Sequence, residues 1–88
     1  MENWYKISKD TIEEELENWA NPKWEKVESS AISEVAYHPL SRILEVKFKS
    51  GRTYVYMGVP PETYENFQNA DSKGRFFNEN IKRVFRFR

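Results

Sequence analysis

The stretch Leu44-Glu45-Val46-Lys47-Phe48-Lys49-Ser50-Gly51-Arg52-Thr53-Tyr54-Val55-Tyr56-Met57 constrains the fold more than any other part of the chain. Two alternating runs flank Ser50-Gly51, the pattern of a β-hairpin. A two-residue Ser50-Gly51 loop sets Lys49 opposite Arg52, and the register follows from there. Phe48 then faces Thr53, Val46 faces Val55 and Leu44 faces Met57, which makes one apolar face. The other face carries Lys47 beside Tyr54 and Glu45 beside Tyr56. In this register both phenols turn away from the core and form a working surface.

The rest of the chain reads as elements that cover the hairpin. Trp4-Tyr5-Lys6-Ile7 is a short strand or an anchoring arm. Asp10-Thr11-Ile12-Glu13 has the spacing of a helix start, with Asp10 as cap and Glu13 reaching back. Ile12, Leu16, Trp19 and Ala20 then form one apolar stripe, and Asn21-Pro22 ends the helix. The simplest reading of the Glu-rich remainder is a solvated face. Residues 23–28 connect or lead into a strand. Ala31–Tyr37 reads as a strand, His38-Pro39-Leu40-Ser41 as a turn, and the hairpin completes a three-stranded antiparallel meander. Pro60-Pro61 stops the sheet and opens a helix carrying Tyr64 and Phe67. Ser72 caps a second short helix with Phe76, Phe77 and Ile81, weakened by Gly74. Arg83–Arg88 alternates again as an edge strand. The expected fold class is α+β: a three- to four-stranded antiparallel meander packed with short helices, plus an N-terminal helix. The apolar hairpin face should meet Tyr64, Phe67, Phe77 and Ile81.

At 88 residues the chain suits one small domain. Its three Trp, five Tyr and six Phe supply the core that few Leu and Ile could not. With no Cys, disulfides, zinc–cysteine sites and thiol nucleophiles are excluded. No apolar run is long enough to span a bilayer, and the N-terminus does not resemble a secretory signal, so a cytoplasmic protein is expected. The net charge is zero, but it is divided. Residues 1–28 hold eight acids and four bases, whereas residues 29–88 hold six acids and ten bases. A basic C-terminal tract can meet a polyanion or the chain's own acidic N-terminal part.

From about Val27 to Arg88 the chain resembles the KTSC domain family, named for an appendage at the C-terminus of some lysyl-tRNA synthetases. The matching pieces are Ser29-Ser30-Ala31-Ile32, Leu44-Glu45-Val46-Lys47-Phe48, Tyr54-Val55-Tyr56, Gly58-Val59-Pro60, Ser72-Lys73-Gly74-Arg75-Phe76-Phe77-Asn78 and Ile81. The resemblance divides the chain into an N-terminal helical extension, residues 1–26, and a KTSC-like domain, residues 27–88. It implies a domain that often stands alone in bacterial and phage proteins, with RNA binding suggested by the synthetase context.

His38, the single histidine, sits before Pro39 in the expected turn, with no serine and acid arranged around it, and reads as a polar loop residue. Gly51, Gly58 and Gly74 are isolated and form no phosphate loop. No catalytic residue, metal site or cofactor is assigned, and the chain is read as a non-enzyme. Aromatic and basic residues interleave, which suits stacked bases and neutralised phosphates. The expected ligand surface is Lys47, Arg52, Tyr54, Tyr56, Arg75, Asn78, Arg86 and Arg88, with loss of binding when Arg86 and Arg88 become Ala. The expected ligand is RNA or a phosphorylated nucleotide. The competing expectation packs Tyr54 and Tyr56 beneath the N-terminal helix. The alternative function is a small phage or bacterial inhibitor that sequesters a host protein or a signalling nucleotide, with a homo-oligomer expected and no membrane partner.

Overall fold

The computed structural model describes residues 9–88. Helix α1 spans Lys9–Ala20, followed by strands β1 (Glu25–Lys26), β2 (Ile32–His38), β3 (Ile43–Phe48) and β4 (Thr53–Met57). Helices α2 (Pro61–Asn69) and α3 (Lys73–Phe77) come next, then a π-helical turn over Asn78–Lys82 and strand β5 (Arg86–Phe87). The strands form one antiparallel sheet in chain order, β1 to β5. This is the α+β meander expected, with its C-terminal edge strand confined to Arg86–Phe87 and a short strand, β1, added at the other edge. The expected arm at Trp4–Ile7 lies outside the described residues. So does the Asp10 side chain, although α1 already begins at Lys9.

The hairpin forms, but its register differs by one residue from the expected one. Leu44 pairs with Tyr56, Glu45 with Val55, Val46 with Tyr54 and Lys47 with Thr53. The loop is three residues long, Lys49-Ser50-Gly51. The Gly51 amide donates to the Phe48 carbonyl at 2.9 Å, and the Phe48 amide donates to the Arg52 carbonyl at 2.8 Å. Gly51 closes the loop at φ +98°, a left-handed conformation that costs glycine little. Three-residue hairpin loops are built this way, from a turn and a left-handed residue. Because side chains alternate, one added loop residue moves every side chain of β4 to the opposite face. Tyr54 and Tyr56 therefore join Leu44, Val46 and Phe48 on the core side, and Val55 and Met57 lie on the other. The expectation that both phenols face outward is overturned: Tyr56 is 1% exposed.

Burial explains why this register wins. A phenol ring removes more apolar area from water than a valine side chain does. Tyr56 stands edge-on to Phe77 at 5.3 Å, and Phe48 meets both Phe77 and Tyr54 at 5.6 Å. Val27, Ile32, Val35, Val59, Phe67 and Ile81 complete the core, with Tyr37, Tyr64, Phe76 and Phe85 packed on it. The helices α2 and α3 thus cover the first face of the sheet with the expected aromatic residues.

Helix α1 lies on the second face, against β2. It does not cover Tyr54 and Tyr56, which belong to the first face. His38, expected as a polar turn residue, is instead fully buried at the end of β2. Trp19 lies flat on its ring at 3.9 Å, and Glu45 Oε2 is 2.7 Å from its Nε2. The Trp19 indole N–H donates to Ser41 Oγ at 3.3 Å, and Ser41 Oγ donates to Glu15 Oε2 at 2.9 Å. The helix is therefore docked through Glu15 and Trp19. Ile12 and Leu16 remain exposed, and Trp19 keeps one edge open to solvent.

Tyrosines also tie α2 to the sheet. Tyr37 donates to the Val59 carbonyl at 2.6 Å and stacks on Tyr64 at 4.4 Å. Tyr64 donates to Glu25 of β1 at 2.7 Å. Burial, reinforced by this hydrogen bond, raises the Tyr64 phenol well above its ordinary value of 10.0. The folded state thus holds the proton more tightly than the unfolded chain. This stabilisation is complete below the ordinary phenol pKa and is lost as pH rises above it. Tyr64→Phe should cost about 1 kcal/mol at neutral pH through the lost hydrogen bond. It should also make the alkaline loss of stability shallower. Denaturant titrations at neutral and alkaline pH check both; equal alkaline losses in the two proteins would remove Tyr64 from the account.

Candidate functional site

Three separate segments meet at one end of the first face. The first is Glu28-Ser29-Ser30-Ala31, the lead into β2. Ser29 Oγ accepts from the amides of Ala31 and Ile32 at 3.1 and 3.2 Å, which turns the chain into the strand. The second is α3, whose N-terminus is capped by Ser72 Oγ accepting from the Arg75 amide at 3.3 Å. The two approach each other at Gly74, where a Cβ would stand 3.0 Å from Ser29 Oγ. Only glycine permits this approach without movement. The third segment is the hairpin tip.

Between the first two segments lies an open cavity of about 630 Å³, lined by Ser29, Ser30, Phe48, Phe77 and the polar edge of α3. Lys73, Arg75 and Arg83 border it, as do Glu28, Asp71 and Glu79, so its charges balance. Arg75 Nε is 3.4 Å from Glu79 Oε2. A second depression of about 440 Å³ continues past the shared residues Ser30, Ala31 and Phe48. Phe48, Tyr54 and Tyr56 line it with Lys49, Arg52 and Lys82, and no carboxylate is among its lining residues. Arg52 Nη1 donates to the Tyr54 hydroxyl at 3.4 Å. Phe87 of β5 flanks the rings, 5.0 Å from Tyr54 and 5.6 Å from Tyr56. Burial raises the Tyr56 phenol above its ordinary value.

Of the residues expected from sequence, Arg52, Tyr54, Tyr56, Arg75 and Asn78 border this continuous groove. Lys47, Arg86 and Arg88 do not. Lys47 is on the second face, 3.4 Å from Glu34 and over the Trp24 ring at 4.4 Å. Arg86 pairs with Met57, whose row also faces that side. Arg88 exchanges backbone hydrogen bonds with Val55. The expected site set leaves out Ser29, Ser30, Lys49, Lys73, Lys82 and Arg83, although Lys82 and Arg83 belong to the basic, aromatic tail. The family-like pieces Ser29–Ile32 and Ser72–Asn78 held the signal for three of them. Among the described residues, no cluster of His, Asp and Glu could hold a metal ion.

The KTSC domain model matches residues 28–85, and the chain belongs to the KTSC domain family. The match begins after α1 and β1. A protein from Tsukamurella paurometabola is 47% identical over 60 residues, covering 68% of this chain and 90% of that one. A lysine–tRNA ligase from Nostoc punctiforme is 42% identical over 62 residues, covering 70% of this chain but 11% of the ligase. The crystal structure of a KTSC domain protein from Yersinia pestis superposes with a TM-score of 0.72 at 44% identity, covering 75% of this chain and 93% of that one.

The Ser29–Gly74 approach generates a specific expectation. Gly74→Ala gains up to about 1 kcal/mol of helix propensity. Against this, the new Cβ pushes on a hydroxyl that two amides hold in place. We expect a net loss of about 1 kcal/mol, the usual size for a crowded core position. In a Ser29→Ala background the same substitution should be neutral or stabilising. A double-mutant cycle by denaturant unfolding measures the coupling; strictly additive effects would contradict it.

Proposed function

We propose that this chain is a non-catalytic binding module, and that the groove between Ser29–Ala31, the hairpin tip and the Ser72–Arg83 segment takes single-stranded RNA. The observation that carries the reading is the depression at the hairpin tip. It combines the partly exposed rings of Phe48 and Tyr54 with Lys49, Arg52 and Lys82, and no carboxylate lines it. Bases stack on rings and cations neutralise phosphates, so such a floor suits a single strand. The adjoining cavity offers the hydroxyls of Ser29, Ser30 and Ser72 and the amide of Asn78, which can meet ribose and base edges. That a lysine–tRNA ligase carries a similar segment supports an RNA ligand. The larger cavity's volume of about 630 Å³ also lies in the range of small-ligand sites, so a free phosphorylated nucleotide is the second reading.

Fluorescence anisotropy with a labelled single-stranded RNA tests the proposal. Binding should weaken with salt at a slope near −2 on logarithmic axes, as about three neutralised phosphates require. Arg52→Ala and Lys82→Ala should each weaken it by about three- to tenfold, in line with one lost phosphate contact. Arg86→Ala, on the opposite face, should leave it nearly unchanged. Absence of binding at low salt sinks the RNA reading. A mononucleotide that raises the melting temperature in its place would select the second reading.

A further inference from the structure

Large apolar side chains exposed on a small protein gather where something else binds. Among the described residues they fall into two groups. Ile12, Leu16 (64% exposed) and Trp19 lie at i, i+4 and i+7 along α1, with Leu40 in the turn that Glu15 grips through Ser41. Val84 (62%) and Phe87 (55%) lie at the other edge, around β5. The charges around the two groups are opposite. Residues 12–20 contain four acids and no base, with Glu13, Glu14 and Glu17 exposed and Glu15 held by Ser41, and residues 80–88 contain four exposed bases and no acid.

One copy cannot bring these patches together. α1 packs on β2, and Phe87 pairs with Tyr56 across β4, so three strand spacings, about 14 Å, separate them in the sheet. They also lie on opposite faces. α1 covers the His38 side, whereas Phe87 shares the Tyr56 side. Two acidic helices would repel each other, so a symmetric pairing of α1 with α1 is disfavoured. Among the described residues, the complement of the acidic apolar helix is the basic apolar edge, supplied by a second copy.

We infer that copies of this chain associate head to tail, with the exposed stripe of α1 from one copy seated on the Val84–Phe87 edge of the next. Such a contact is heterologous: it closes into a ring or continues as a chain, depending on the rotation between copies. It is also small, so association should be weak and strengthened at low salt. Because Phe87 touches Tyr54 and Tyr56, the incoming helix would form a rim at the tip end of the groove. The inference stands independently of what the groove binds.

Sedimentation velocity over a concentration series tests it. The wild type should sediment faster as concentration rises, more so at low salt. Leu16→Lys disables the helix patch, and Val84→Glu/Arg86→Glu disables the edge. All three positions are exposed, and circular dichroism checks that each variant is folded; Ile12→Lys is the second helix-patch variant. Each variant alone should associate at least about tenfold more weakly, equivalent to about 1.4 kcal/mol. An equimolar mixture of Leu16→Lys and Val84→Glu/Arg86→Glu should recover a species that stops at two copies, since one working patch of each kind remains. A wild type that stays monomeric throughout overturns the inference. So does either variant associating alone as well as the wild type, or a mixture that recovers nothing.

Discussion

The arrangement depends on how the hairpin closes. Gly51, at φ +98°, ends a three-residue loop and sets Val46 opposite Tyr54 and Leu44 opposite Tyr56. This register puts the large rings of β4 beneath α3, where Phe77 meets Tyr56 and Phe48. It leaves the second face with the smaller Val55 and Met57. The first face could not be filled by valine and methionine in place of two phenols without leaving space above Phe77.

The same closure shapes the groove. With Tyr54 and Tyr56 on the core side, their rings become the wall of a depression that Lys49, Arg52 and Lys82 border. The polar cavity beside it exists because Gly74 lets α3 come against the Ser29 turn. Core packing and candidate ligand surface are thus one structure: Phe48 and Tyr56 serve both. Helix α1, ahead of the KTSC match, occupies the other face, where Trp19 closes over a buried histidine that Glu45 partners.

Much of this is legible in the sequence, and the failures have physical causes. Alternation around Ser50-Gly51 shows the hairpin, and Pro61, Ser72 and the aromatic spacing locate the two later helices. The register is not legible because Ser-Gly fits both a two-residue loop and the last two positions of a three-residue loop. That single residue reverses which side chains of β4 are inside. The apolar stripe of α1 marks a helix but not its docked side. That choice is made by Trp19 and Glu15 reaching Ser41, 22 and 26 residues away. His38 misled for the same reason, because the groups that bury it come from other elements. Arg52, Tyr54, Tyr56, Arg75 and Asn78 of the expected surface do border the groove, although the outward orientation expected of Tyr54 and Tyr56 is not the one they have. Lys47 stands beside Tyr54 only in the two-residue register; it lies on the second face in either register, and it is Tyr54 that changes sides. Arg86 and Arg88 come from the basic tail, whose pairing with β4 alternation alone does not reveal.

The central claim is that the hairpin closes with β4's tyrosines inward. Proton NMR measures this directly through nuclear Overhauser contacts of the Tyr56 ring. The account predicts contacts with the Leu44 methyls and the Phe77 ring. Contacts to Glu45 instead, with Met57 lying against Leu44, would show the two-residue loop and contradict it.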